Sequence, residues 1–541
     1  MRSGSGSRTK TLWSSRASLA LAAIAAGLAG TGLAQTQTQA QAIDRNARLT
    51  VGWAEPIDTL NPATTGARNV GPLAINIFDT LTWLTPNFEV TPHLATSWKV
   101  SDDSRTYTLV LREDVTFHDG APFDAEAVVA NIAYITNKDT QSKISLGLLG
   151  SCQTSKAVAK YTVEISCAQP YAPLLPQLGS PYLGMQSPKA IAQYGKDLGL
   201  HPTGSGPFQF VSYEPNQSLV LMRNEAYKWG PAAVNHSGPP NIAQITFQIV
   251  PNSQARVNAF QSGQSQMMQQ TPGVYWTAFQ RAGTYNAHPV PISGLGIFSP
   301  INVSKFPTND IAVRRAIQHA IDKRGMIQLA EAGVFPVSHT PLQPGMLGYD
   351  PSLENYYPYD PAKAEAILRE GGWAKNGEFW EKDGRRLSFA INAISTVPSY
   401  PLLAQAMQGY LRKVGMDVSV QQLAVPAWLA ANVAGEMSMA PLQYVGVDPD
   451  ALQFWFLPDQ YFNWSKFTDP KLTEIIRAGQ QETDRDKRVA LYHQAQRIIM
   501  EQAVMMPLRQ NIDLVMTSKK MSGLTYSGGG FHYLLGASLA P

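Results

Sequence analysis

The chain has 541 residues, 44% hydrophobic and 15% charged, with 42 Gly and 38 Pro. That length exceeds what a single hydrophobic core serves and implies two or three lobes, while the Gly and Pro content excludes a coiled coil. Of 43 basic residues, four stand at the N-terminus where there is no acid, so the remainder is near neutral and offers no case for a nucleic-acid partner.

Residues 1–42 read as an export signal. Arg2, Arg8, Lys10 and Arg16 form its positive segment, 18–30 its short apolar run, and Ala40-Gln41-Ala42 a small-x-small cleavage site, with Gly32-Leu33-Ala34 an earlier alternative. The apolar run is too short for an anchor and no Cys near either cut offers lipid attachment, so a soluble periplasmic protein is expected. No other stretch approaches eighteen unbroken apolar residues.

Residues 48–53 form a short strand running into the turn-rich 55–62. Tyr107, Leu109 and Leu111 alternate with Thr106, Thr108 and Val110, the period of a strand. A second strand is expected at 115–117, followed by a His118-Asp119-Gly120 turn, with Asp124 as N-cap of a helix over 125–132. Cys152 and Cys167 flank a strand-like 161–166. In an oxidising compartment such a pair implies a disulfide, stabilising by about 3 kcal/mol on the chain-entropy model; two free thiols are the alternative. No His stands at zinc-ligand spacing from either.

Thr203-Gly204-Ser205-Gly206-Pro207-Phe208 superficially suggests a nucleophile or phosphate loop. Pro207 and a strand at 219–222 favour a turn instead. Residues 311–321 carry a helical apolar face, on which His319 and Asp322 stand three apart and could touch, as a structural contact rather than a metal site. Asp360-Pro361 to Gly371 and Asp469-Pro470 to Gly479 each show a capped start and a glycine stop, and 484–502 is a long amphipathic helix. Helices alternating with short strands give an α/β protein.

Four blocks carry a resemblance. They are 90–131 (VTPHLATSWKVSDDSRTYTLVLREDVTFHDGAPFDAEAVVAN), the 203–208 turn, Arg223-Asn224-Glu225-Ala226-Tyr227, and 302–322 (NVSKFPTNDIAVRRAIQHAID). Together they resemble the cluster 5 extracellular solute-binding proteins, the dipeptide, oligopeptide and nickel receptors of ABC importers, over about 45–515. Asn61 replaces the Asp of the family's Leu-Asp-Pro.

The resemblance implies a type II periplasmic-binding-protein-like α/β fold, with two large lobes around a ligand cleft plus an extra lobe. Lobe I would comprise 43–91, 203–300 and 511–541, lobe II 92–202 and lobe III 301–510, with two crossing segments as hinge. It implies a monomeric receptor, without cofactor or enzymatic activity, that captures a small polar organic solute. An inner-membrane ABC permease with its ATPase subunits would receive that solute. A nickel or metal-chelate receptor is the alternative within the fold. A secreted hydrolase is the remote one, since no Gly-x-Ser-x-Gly, His-Glu-x-x-His or nucleotide-binding motif occurs.

Counted without gaps, the ligand-facing loop of the family falls on Gly66, Ala67 and Arg68, and Arg68 offers a planar guanidinium suited to a carboxylate. Trp428 lies where the family packs a Trp over the ligand, and Tyr461-Phe462-Asn463-Trp464 is a further aromatic candidate. Gln443, Tyr444 and Val445 form the opposite wall. Family members that bind free peptides hold the α-amino group with an Asp where this chain has Val445, which argues against a generic dipeptide or oligopeptide.

Overall fold

Seven strands in the order Tyr285–Pro291, Ile512–Ser518, Met267–Met268, Arg48–Trp53, Gln244–Ile249, Ser218–Arg223 and Phe208–Glu214 make the largest sheet. The computed structural model describes residues 43–541 apart from Lys143, Ser237, Pro398 and Asp459. The export-signal reading lies outside the described residues. Arg48–Trp53 runs parallel to both Gln244–Ile249 and Met267–Met268. Leu49, Val51 and Trp53 share one core with Leu219, Leu221, Ile245 and Phe247, and Trp53 meets Phe247 edge-on at 5.4 Å.

An antiparallel sheet follows, ordered Ala95–Val100, Thr106–Leu111, Thr162–Ser166, Thr154–Ala159. Tyr107, Leu109 and Leu111 point into its core with Val163 and Ile165, against the helix Ala125–Thr136. Asp124 caps that helix by accepting the Ala127 amide at 3.1 Å. The strand expected at 115–117 is reduced to a single bridge, Thr116 to Pro122, around the His118-Asp119-Gly120 turn, in which Gly120 takes φ +80°. Val115 and Phe117 alternate because both are buried, not because a ladder continues. Cys152 and Cys167 form a disulfide across the base of the 154–166 hairpin, with an S–S distance of 1.99 Å.

A buried carboxylate joins these two sheets. Asp79 accepts from Ser205 Oγ at 2.9 Å, Tyr227 OH at 3.0 Å and Trp229 Nε1 at 2.8 Å, and His93 Nε2 lies 3.3 Å away. Burial alone would raise this acid, but His93 and the converging donors hold it below the usual range. The Gly-Ser-Gly turn belongs to the same junction. A Cβ on Gly204 would lie 2.0 Å from the Ile77 carbonyl oxygen, and one on Gly206 2.6 Å from the Ile77 carbonyl carbon. His118 bonds the Gly206 carbonyl at 2.9 Å, and Asp119 accepts from Ser187 at 2.7 Å. Ser205 is fully buried, its hydroxyl committed to Asp79.

The remainder, from 294 to 509, is built on Gly294–Pro300 between Leu442–Val445 and Met505–Arg509, and on the parallel pair Ser388–Ile394 with Asp417–Leu423. Helices pack on both. Asp310, Asp360, Asp469 and Asp484 each cap a helix with the side-chain oxygen. Two readings need correction. The helix at Pro470 runs to Gln481, so Gly479 is interior; it leaves room for Tyr492, which a Cβ would meet at 2.9 Å. His319 and Asp322 do not touch, because His319 bonds the Pro358 carbonyl and Asp322 caps the next helix at Gly325. Residues 42–541 form one compact unit, and none of its described helices is long and apolar enough to cross a membrane.

Two outcomes follow. Gly204→Ala forces backbone against backbone and lowers unfolding stability in urea by about 1–3 kcal/mol, as overpacking does. Thiol titration of the denatured, unreduced protein finds no free thiol; two titrated thiols would contradict the disulfide.

Candidate functional site

Between the part bearing the first two sheets and the 294–509 part, the chain passes only twice, at 292–293 and 510–511. The passes lie side by side. Tyr285–Pro291 pairs with Ile512–Ser518 on one side of them, and Gly294–Pro300 with Met505–Arg509 on the other. One buried side chain ties both: the Gln343 amide donates to the Ile292 carbonyl and accepts from the Asn511 amide nitrogen. Asn511 Nδ2 in turn donates to Gln443 Oε1 at 2.8 Å, and the Gly446 amide to the Ser293 carbonyl at 3.3 Å.

Beside these passes lie the carboxyl ends of the parallel strands, where open α/β sheets place ligands. Arg48–Trp53 leads there to Glu55, and Met267–Met268 to Gln270, whose amide donates to Glu55 Oε1 at 2.6 Å. Gln270 holds a left-handed φ of 49°, and its backbone amide donates to Asp513 Oδ1 at 2.9 Å. Non-glycine residues are held there at a cost of order 1–3 kcal/mol.

The loop before the helix Gly71–Ile77 carries a cation, Arg68. Asp58 braces it by accepting from Thr65 Oγ1 at 2.9 Å and from the Gly66 amide at 3.3 Å. Tyr182 donates to the Ala67 and Arg68 carbonyls, 3.2 Å from each, and its ring meets Phe531 edge-on. The Arg68 guanidinium carries two enclosed nitrogens, Nε and Nη2, that have no hydrogen-bond acceptor. Behind it, His532 Nε2 lies 3.4 Å from Asp513 Oδ2. Burial, the largest effect, lowers the imidazole pKa, against the pull of Asp513 and with the help of Arg68.

Tyr400 belongs to the 294–509 part and is buried. Burial pushes its phenol up, and the charges of Arg509, Glu55, Glu331 and Arg68 act on it next. Arg509 is itself committed to Glu331 at 2.6 Å and lies 3.8 Å over the Phe335 ring. Arg68 thus keeps two donors to spare, and Arg256 nearby keeps one, its Nε.

A family model for bacterial extracellular solute-binding proteins, family 5, matches residues 89–465. The chain belongs to that family. It is a bacterial extracellular solute-binding protein. Among relatives, this family 5 protein is 27% identical to the glutathione-binding protein GsiB of Salmonella paratyphi A, over 86% of this chain and 89% of that one. It is 27% identical to the nickel-binding periplasmic protein of Escherichia coli K12, over 88% and 92%. The solved structure of NikA from Brucella suis with Fe(III)-EDTA superposes with a TM-score of 0.82 at 27% identity, covering 91% of this chain and all of that one.

In this family 5 protein, Gly66, Ala67 and Arg68 share the braced loop. Gln443, Tyr444 and Val445 lie on Leu442–Val445, partly exposed where the strands around them are buried. Gln443 is held by Asn511, Tyr444 lies tilted against Phe454 and edge-on to Trp455 and Phe462, and Val445 packs against the core that holds the four-stranded sheet. Trp428 is placed differently. It is buried in the core of the 294–509 part, edge-on to Trp464 at 5.1 Å, with its indole donating to the Asn392 carbonyl. Tyr461 is exposed, while Phe462 and Trp464 join the same aromatic core. Sequence reading did not single out Tyr182, Tyr400, Gln343 or Asn511. Tyr182, Gln343 and Asn511 act through partners at least 51 residues distant, and no local pattern marks them.

Gln343→Leu strands the Ile292 carbonyl and the Asn511 amide, costing about 1–3 kcal/mol for each buried group left unpaired. Hydrogen exchange at Asn511 should accelerate; unchanged protection there would show that Gln343 does not hold the passes.

Proposed function

We propose that the solute is a small polar organic molecule carrying a carboxylate or an equivalent acceptor, held in the cleft between the two parts with Arg68 as its anchor. The observation that carries this reading is the guanidinium with two enclosed, unpartnered nitrogens. Each such group left unpaired costs about 1–3 kcal/mol, which a bidentate carboxylate repays. Gly66 and Ala67 edge the mouth, Gln443, Tyr444 and Val445 form the far wall, and Trp428 stiffens that wall from within. With valine at position 445, nothing there meets an α-ammonium group.

The lobes in this reading are I (43–91, 203–300 and 511–541), II (92–202) and III (301–510), hinged where the two passes run. The protein acts as a monomer in the periplasm after loss of residues 1–42 and delivers its solute to an inner-membrane ABC permease with its ATPase subunits. It returns the solute unchanged and uses no cofactor.

A metal chelate is the second reading, favoured by the nickel-binding relative and by the Fe(III)-EDTA bound to NikA. Among the described residues, no group of three or more His, Cys, Asp or Glu could hold a bare metal ion. A metal would enter inside an organic chelator whose carboxylates meet Arg68.

Calorimetric titration with glutathione, Fe(III)-EDTA and α-linked dipeptides tests both readings. A carboxylate-bearing solute binds with a Kd that Arg68→Ala weakens at least tenfold, and α-linked dipeptides bind poorly. Micromolar binding of dipeptides, indifferent to Arg68→Ala, would overturn the anchor and the valine argument together. Calorimetry suits the question better than a thermal screen, because ligand at 100 times its Kd adds only about 2.7 kcal/mol.

A further inference from the structure

The lobe II sheet and the 294–509 part meet at a second place, away from Arg68. Tyr171, four residues beyond the disulfide, donates its hydroxyl to Asp450 Oδ2 at 3.1 Å, and the Ala172 amide donates to the Gln480 carbonyl at 2.8 Å. These bonds join segments that share no sheet. Tyr171 is held on its own side by Tyr107, whose hydroxyl donates to the Tyr171 carbonyl at 2.8 Å. Asp450 is fully buried.

The charge count at this contact is unbalanced. Asp448 and Asp450 stand two residues apart, and a single cation, Arg488, faces them. Arg488 is committed to Asp448, with Nη2 at 2.6 Å from Oδ1 and Nη1 at 2.8 Å from Oδ2. Asp450 is left with neutral donors only: Tyr171 from across the interface and Gln453 from its own turn, both on Oδ2. Its Oδ1 is enclosed and has no partner. The other titratable groups near it are phenols, Tyr492 and Tyr444, each raised by burial and by this acid's own charge. The Tyr492 hydroxyl is likewise buried without a partner.

We propose that closing this interface binds one proton on Asp450, which makes the contact a pH-sensitive latch between lobe II and the 294–509 part. The proton comes from solvent and joins Oδ1, while Tyr171 continues to donate to Oδ2. A carboxylate in water titrates near 3.9, whereas burial here, reinforced by Asp448 and only partly offset by Arg488, pushes Asp450 up to about 7. The closed form therefore holds more protons than the open form between those values. Its share is constant at high pH, rises as pH falls through 7, and levels off where the open-form acid also protonates. From pH 8 to pH 6 the closed-to-open ratio should rise about tenfold. The latch is independent of which solute binds, and it stands or falls separately from the Arg68 reading.

Spin labels on cysteines introduced at Val158 and Leu402, both exposed and on opposite sides of this contact, report closure in the exported protein without any ligand. Interlobe distances are measured by double electron–electron resonance from pH 5 to 9. The short-distance fraction should rise as pH falls through 7 in the parent protein. In Asp450→Asn, which mimics the protonated acid, it should stay at the low-pH level at every pH. Tyr171→Phe should lower it throughout yet keep its pH dependence, since the proton site remains. A distribution that does not move with pH in the parent, or that still moves in Asp450→Asn, overturns the latch.

Discussion

The whole arrangement rests on the way that, among the described residues, the chain crosses between its two parts twice, in adjacent antiparallel segments. In the hinge reading proposed above, these two neighbouring passes are the axis about which the parts turn. Gln343 keeps the passes in register with one amide, satisfying a carbonyl on one and an N–H on the other. Buried backbone groups must be paired, so the axis can flex only in ways that keep this amide seated. Asn511 extends the same network to Gln443, which the proposed function places on the wall facing the solute.

The motifs by which the chain resembles its family serve a different purpose. His118, the Gly-Ser-Gly turn, Asn224 and Tyr227 converge on Asp79 or on the backbone around Ile77, where the first two sheets join, while Asp119 accepts from Ser187 beside them. They build a rigid junction, and none of them makes a contact with the Arg68 loop. The serine between two glycines belongs to the same junction, its hydroxyl buried and donated to Asp79.

Local physics was legible in the sequence and long-range pairing was not. The aspartate caps at 124, 360 and 469 follow from the Asp and Asp-Pro grammar, and the 106–111 alternation from period 2. Residues 115–117 misled because burial alone produces the same alternation as a ladder. Gly479 misled because a glycine that makes room for Tyr492 looks the same as one that ends a helix. Counting residues without gaps points to Arg68, but that its Nε and Nη2 are enclosed without an acceptor is visible only in the fold. Trp428 illustrates the limit of analogy, since its ring and its N–H are both occupied within the core. The proton imbalance at Asp448 and Asp450 depends on which acid Arg488 chooses, a choice settled only by the fold.

The most direct test of the central claim is a crystal structure of the protein with the solute it carries from its native compartment. The account predicts electron density in the cleft, with a carboxylate or equivalent acceptor on Arg68 Nε and Nη2, Tyr182 and Tyr400 on either side, and the two passes intact. Solute density elsewhere, for instance on the outer face of the helix Pro470–Gln481, with the Arg68 nitrogens still unpartnered, would contradict it.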